Sequence, residues 1–168
     1  YCYDEGYCLE YDGVDLGYLS GTISFLSRLH HLWSDQELEK VIERAIEFTS
    51  YFLYPDGFYG GTIGSRQTVH FYHFGYEYWA EKIPIAAKMA ETALVFLHEG
   101  KLVFPGTQED HYVLYRVPEF IEAYLAWKKR ADELPLLPCE VVLLEKYFPK
   151  AGIFIRKQND RYLVVSLK

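Results

Sequence analysis

Apolar residues recur at spacings of three and four from about Tyr18 to Trp33, where Leu19, Ile23, Leu26, Leu29 and Trp33 share one side of a helix. Ser34 follows, with Glu37 three residues on. That is the spacing of a capping box, in which the hydroxyl accepts from the N3 amide and the carboxylate reaches back to the cap amide. The helix it predicts carries Leu38, Val41, Ile42, Ala45, Ile46, Thr49, Phe52 and Leu53 on one face, and Pro55-Asp56-Gly57 ends it with turn chemistry. A third helix is predicted over about 83–99. Pro84 lies in its first turn, Ala86, Met89, Ala90, Ala93, Leu94 and Leu97 form its stripe, and Gly100 follows its end. Pro118 suits the start of a fourth, running to Ala131 on Phe120, Ile121, Tyr124, Leu125 and Trp127. The helices are expected to pack as antiparallel pairs.

The period then changes. Leu134-Pro135-Leu136-Leu137-Pro138 breaks the helical region, and two alternating runs, Gly152–Gln158 and Arg161–Lys168, are joined by Asn159-Asp160. This is a hairpin pattern. Two strands bury no face alone, so a helical part over 1–134 and the opening of a β domain over 135–168 are expected. The chain starts at Tyr1 without an initiator Met and stops inside an alternating run, which reads as a piece of a longer protein. Two irregular stretches stand out. Residues 1–17 hold Asp4, Glu5, Glu10, Asp12 and Asp15 with no base. Residues 54–75 hold Gly57, Gly60, Gly61, Gly64 and Gly75. Long ordered connections of this second kind tend to carry function.

Composition narrows the classes. Half of the 168 residues are apolar, which excludes a disordered tail. The net charge of −7, with Lys128-Lys129-Arg130 as the longest basic run, argues against a nucleic-acid binder. No uninterrupted apolar stretch is long enough to span a membrane. Cys2 and Cys8 fit no common zinc or redox spacing, and buried thiols are the favoured reading for them and for Cys139 over a Cys2–Cys8 disulfide. Aromatic residues make up 18%, and eleven of the rings lie between Tyr51 and Trp79. Rings of this kind either fill a core or face a ligand.

Three constellations carry candidate chemistry. Glu10 to Tyr18 leads into the first helix, where amides and the helix dipole favour negative charge. Asp15 is either a cap-region acid or a ligand group there, and Tyr11 or Tyr18 could present a phenol to a cleft. Gly64 to Glu77 combines Arg66, His70 and His73 with several aromatics. The His70-x-x-His73 spacing could serve a metal, but no cysteine lies near, so anion or carbohydrate handling is favoured. Glu109 to Arg116 reads as a loop facing the same rim, with salt bridging as its use. His30, His31 and His98 fall within helical patterns as surface or satisfied core residues.

The stretches LEYDGVDLGYLSGTISFLSRL, GSRQTVHFYHFGYE and KYFPKAGIFIRKQNDRYLVVSLK resemble the heparinase II/III-like branch of the polysaccharide lyase superfamily. The YFPKAG at 147–152 resembles the start of that family's sandwich. The resemblance implies a mainly α chain: antiparallel helix pairs of an incomplete (α/α) toroid over 1–134, then the first strands of an antiparallel β-sandwich over 135–168. It implies β-elimination on a uronic-acid-containing polysaccharide, with no metal or cofactor. In that chemistry the enolate that forms beside the uronate carboxylate needs donors, and a phenol or imidazole moves the proton.

Carried onto this chain, Tyr18 is the first candidate for the catalytic phenol and Tyr11 the second. His70 or His73 is the neutraliser or base, and Arg66 the carboxylate binder, while Asp15, Glu10, Tyr72 and Tyr76 line the substrate. The implied partners are a polysaccharide or oligosaccharide and the rest of a parent chain, with helices upstream and a sandwich downstream; nucleic acid and membrane are not among them. A periplasmic or extracellular setting is the weakly implied compartment. Two alternatives stand beside this reading. One is an (α/α)-toroid glycoside hydrolase with paired carboxylates drawn from Glu10, Asp15 and Glu77. The other is a non-catalytic glycan-binding or structural module.

Overall fold

The structure is a computed structural model that describes residues 2–60 and 63–167. Gly61 of the glycine set and Lys168 of the last alternating run lie outside the described residues. The chain is mainly α-helical and closes on antiparallel strands. Helix α1 spans Leu16–Leu32, α2 Gln36–Ser50, α3 Phe74–Trp79, α4 Pro84–His98 and α5 Asp110–Ala126, and the strands are β1 Leu143–Phe148, β2 Ile153–Gln158 and β3 Arg161–Ser166.

Local chemistry sets the helix starts. Asp15 caps α1 and accepts from the Tyr18 amide at 3.0 Å. Asp35, rather than the expected Ser34, caps α2, accepting from the Leu38 amide at 2.8 Å. The next residue along is a carboxylate, as good a cap as a hydroxyl. Glu37 is left to pair with Lys40 at 2.7 Å. Pro84 opens α4 as expected.

The fourth expected helix begins eight residues before the predicted start, and Pro118 lies inside it. A proline within a helix lacks the amide that would bond the carbonyl four residues back. Here that carbonyl belongs to Leu114, which is 74% exposed, so water can take the place of the lost donor. The helix ends at Ala126, short of Ala131.

Helix α1 packs against α2 and α3, and α3 in turn against α4 and α5. Glycine permits the closest approach. A Cβ at Gly75 would lie 2.7 Å from Ile23 Cγ2 and 2.9 Å from the Ser24 amide. Arg28 of α1 reaches Glu119 and Glu122 of α5 and ties those two helices together. Ile23, Ile42, Ile46, Phe48, Phe52, Tyr59, Phe71 and Met89 are fully enclosed between the helices.

The strands form one antiparallel sheet in the order β1-β2-β3. The expected hairpin is β2–β3, with Asn159 at positive φ in its turn, and β1 adds a third strand in which Phe148 pairs with Ile153. The sheet sits on the helices through Phe148, whose ring lies 4.7 Å from Phe48 and 5.3 Å from Tyr51. The Tyr162 hydroxyl donates to the Tyr51 carbonyl at 2.8 Å. Ile153 and Ile155 extend the helical core into the sheet without a break.

The N-terminal segment closes on itself. Cys2 and Cys8 are joined by a disulfide, which corrects the expectation of free thiols; Cys139 is a buried thiol. The amide of Tyr3 donates to the Tyr7 carbonyl and that of Gly6 to Tyr3, so the turn sets the two cysteines opposite one another. Glu5 then accepts from the Lys150 and Ala151 amides at 2.8 and 2.9 Å, fastening the segment to the turn between β1 and β2.

Candidate functional site

The glycine-rich connection is laced along the first half of α1. Asp15 is 1% exposed, and its second carboxylate oxygen accepts from the amides of Arg66 and Thr68 at 3.0 and 3.2 Å. One carboxylate therefore caps α1 and fixes residues 66–68. Gly17 allows this approach, since a Cβ there would lie 2.5 Å from Thr68 Cγ2. Further along, the Ser20 hydroxyl lies 2.7 Å from the Gly17 carbonyl and 3.2 Å from that of His70, and it accepts from the Tyr72 amide. Small residues at 17, 20 and 21 thus bring the Arg66–Tyr72 segment flat onto the helix.

Two adjacent groups of side chains result. In the first, the Arg66 guanidinium lies 4.6 Å over the Tyr11 ring, and both residues are exposed. In the second, Tyr18 on the first turn of α1 is 44% exposed and its phenol interacts electrostatically with that of Tyr72. Gly21 leaves room for the Tyr72 ring. The Arg116 guanidinium lies 4.7 Å over this ring. Burial pushes the Tyr72 phenol above its ordinary pKa, and Arg116 opposes that shift.

His70 completes the second group. Gln108 Nε2 donates to its Nδ1 at 2.7 Å, and the Tyr112 ring lies 5.1 Å away. An amide nitrogen can only donate, so Nδ1 is the accepting nitrogen and the ring proton sits on Nε2. Burial, and then the charge of Arg116, lower the His70 pKa, with Asp15 acting weakly the other way. His70 is accordingly a neutral imidazole near pH 7, with Nε2–H as its donor.

Three other expected site residues, Tyr76, His73 and Asp15, are buried. Tyr76 is fully buried, donates to Thr49 Oγ1 at 2.9 Å and stacks on Phe71 at 4.6 Å. His73 is 3% exposed, packed between Phe71 and Phe120, and neither ring nitrogen has a hydrogen-bond partner among the described residues. Burial and Arg116 push its pKa down to about 3. Both belong to the core because α3 begins at Phe74 and turns this part of the connection inward. Asp15 is spent on backbone amides and is closed to a ligand. Glu10 pairs through its backbone with Gly13, and its carbonyl accepts from the Ser65 hydroxyl.

Two of the three acids of the hydrolase alternative are already engaged. Glu77 is buried and ion-paired with Arg130 at 2.5 Å, while Asp15 sits on the Arg66–Thr68 segment. Most rings between Tyr51 and Trp79 are also core: Phe52, Tyr59, Phe71, Tyr76 and Trp79 are all buried.

Tyr112 and Arg116 stand in the Glu109–Arg116 stretch expected as a salt-bridging loop on the same rim, not as site residues, and Gln108 carried no signal in the sequence. Residues 110–116 form the first turns of α5 instead of a loop, and that changes their geometry. Positions 112, 116 and 120 then fall on one helix face, which is turned to the His70–His73 segment. Reading Pro118 as an interior residue would have exposed this stripe. Among the described residues, no group of three or more His, Cys, Asp or Glu could hold a metal ion, and no helix is long and apolar enough to cross a membrane. No protein-family model, curated protein or solved structure matches this chain.

Proposed function

We propose that the face made by Tyr11, Tyr18, Arg66, His70, Tyr72 and Tyr112 handles an acidic polysaccharide, and that the chain is part of a lyase that cuts it by β-elimination. The observation that carries this reading is the neutral, Gln108-held imidazole of His70 against the Tyr112 ring, on the same segment as Tyr72. β-Elimination removes the proton α to a uronate carboxylate, forms a carbon–carbon double bond and expels the glycosidic oxygen on the next carbon. The negative charge that builds on the carboxylate needs preorganised donors. His70 Nε2–H is one such donor. Tyr18, exposed on the first turn of α1, moves the proton from carbon to the leaving oxygen. Tyr72 stays protonated and binds through its hydroxyl.

The resemblance to the heparinase II/III-like branch points to the same chemistry, and to helix pairs of a toroid followed by the opening of a sandwich. Exposed apolar residues support further packing of both parts. Leu114, Ile121, Tyr124 and Leu125 lie open on α5, and Tyr147 and Leu163 on the sheet. The Cys2–Cys8 disulfide fits an oxidising, periplasmic or extracellular setting.

A glycan-binding module is the second reading, favoured by the exposed Tyr11–Arg66 stack, which offers an apolar face with a charged edge. Tyr18→Phe separates the two. In the lyase this substitution abolishes turnover on a uronic-acid polysaccharide while oligosaccharide binding is retained; near-normal turnover removes Tyr18 from the mechanism.

A further inference from the structure

We infer that Arg116 is the carboxylate anchor of this face, holding the acidic group of a sugar ligand from below. The inference rests on reading the face as an acidic-sugar site. Arg116 is fully buried. Its Nη2 donates to the Phe71 carbonyl at 2.7 Å, while Nε and Nη1 are enclosed and have no hydrogen-bond partner among the described residues. Its surroundings are the faces of Tyr72 and Phe120, at 4.7 and 5.5 Å. The ring faces attract the cation, and the Tyr72 hydroxyl also hydrogen-bonds to it, which leaves Nε and Nη1 open.

The nearest carboxylate does not fill that role. Glu119 accepts from the Ser24 hydroxyl at 2.6 Å, from the Phe74 amide at 3.0 Å and from Arg28, and it makes no hydrogen bond to Arg116. A buried cation with open donors is costly unless an anion is supplied. Gln108 Oε1, on the side chain that holds His70, is also enclosed and unpartnered among the described residues. Two unpartnered donors on one buried guanidinium mark a place where a ligand completes the hydrogen bonding.

A carboxylate suits it best: it brings one negative charge and two accepting oxygens to a site that offers several donors and no open acid. It would come in past His70, which is half-buried and feels the charge of Arg116. Arg66 is placed differently. Its guanidinium is exposed over Tyr11, where solvent screens its charge. It serves as a rim contact.

The test is binding of glucuronate, with glucose and inorganic sulfate as controls, followed by NMR and thermal shift. The expected result is saturable binding of glucuronate, little binding of either control, and a loss of roughly tenfold or more in Arg116→Lys, the size of one charge-assisted hydrogen bond. Equal affinity in Arg116→Lys overturns the anchor, and equal affinity for glucose or sulfate overturns the carboxylate assignment. If Arg116→Lys does not fold, the Arg116 Nε–H resonance of the wild-type protein decides: it shifts on adding glucuronate if the anchor is real and stays fixed if it is not. Failure of the lyase reading is separable. Glucuronate bound through Arg116 with no cleavage of any uronate polymer keeps the anchor and removes the lyase. Cleavage with an unchanged KM in Arg116→Lys does the reverse.

Discussion

Single side chains decide what this face can do, and two of them do so by being buried. Asp15 was legible in the sequence as an acid at a helix start, but its two possible uses were not separable there. The amides of Tyr18, Arg66 and Thr68 settle it as a clasp, and only the return of the chain over α1 brings the last two within reach. His73 was legible as half of a histidine pair, but the sign of its burial was not. It lies in an aromatic pocket and is held neutral, with a pKa near 3 against an ordinary 6.5.

That depression has a consequence for acid stability. The unfolded chain takes up a proton at His73 below about pH 6.5, while the folded chain does not until about pH 3. Between those values the unfolded state binds more protons, so stability rises with pH. The contribution is complete above pH 6.5 and is lost as the pH falls toward 3. His73→Phe, which keeps a ring in the pocket, is therefore expected to flatten the fall in unfolding free energy over that range. Denaturant titrations at several pH values measure it, and parallel slopes for the two proteins would count against the burial argument.

Among the elements, the strongly periodic ones were legible and those set by neighbours were not. α1, α2 and α4 carry long apolar stripes, and the β2–β3 hairpin announces itself by alternation and by Asn159-Asp160. α3 is only six residues long, too short to show a period, and is held by α1, α4 and α5 around it. β1 has Glu145 and Lys146 in its middle and depends on pairing with β2 for its form.

The error with most effect on the site concerned α5. A proline reads as a helix start, yet here two turns of helix precede it, and those turns bring Tyr112 and Arg116 to His70 and Phe71. Pro118→Ala tests this directly. If Pro118 is interior, alanine restores the amide that bonds the Leu114 carbonyl and stabilises the protein by up to about 3 kcal/mol in equilibrium unfolding. If Pro118 were the first helical residue, the same change would give no gain.

Across the whole molecule, helices, sheet and N-terminal segment share one core. The acid-rich first segment is largely turned to structural use. Glu5 holds the β1–β2 turn, Asp15 holds the connection, and Asp4 lies 3.7 Å from Arg44 and 3.8 Å from Lys150. Asp4 and Glu5 are thus engaged at the β1–β2 turn, while Asp15 is enclosed by the amides it accepts from beneath the Tyr18–Thr68 face. The aromatic excess divides in the same way. Most rings between Tyr51 and Trp79 build the core, and a smaller set, Tyr11, Tyr18, Tyr72 and Tyr112, is grouped around Arg66, His70 and Arg116.

The central claim is that these groups break a uronate polymer by elimination. It is tested most directly by incubating the protein with uronic-acid-containing polysaccharides and following near-ultraviolet absorbance together with reducing ends. The account predicts new reducing ends that appear in step with the absorbance of unsaturated uronate. Reducing ends without that absorbance would mean hydrolysis, and neither signal with retained binding would mean a glycan-binding module; each contradicts it.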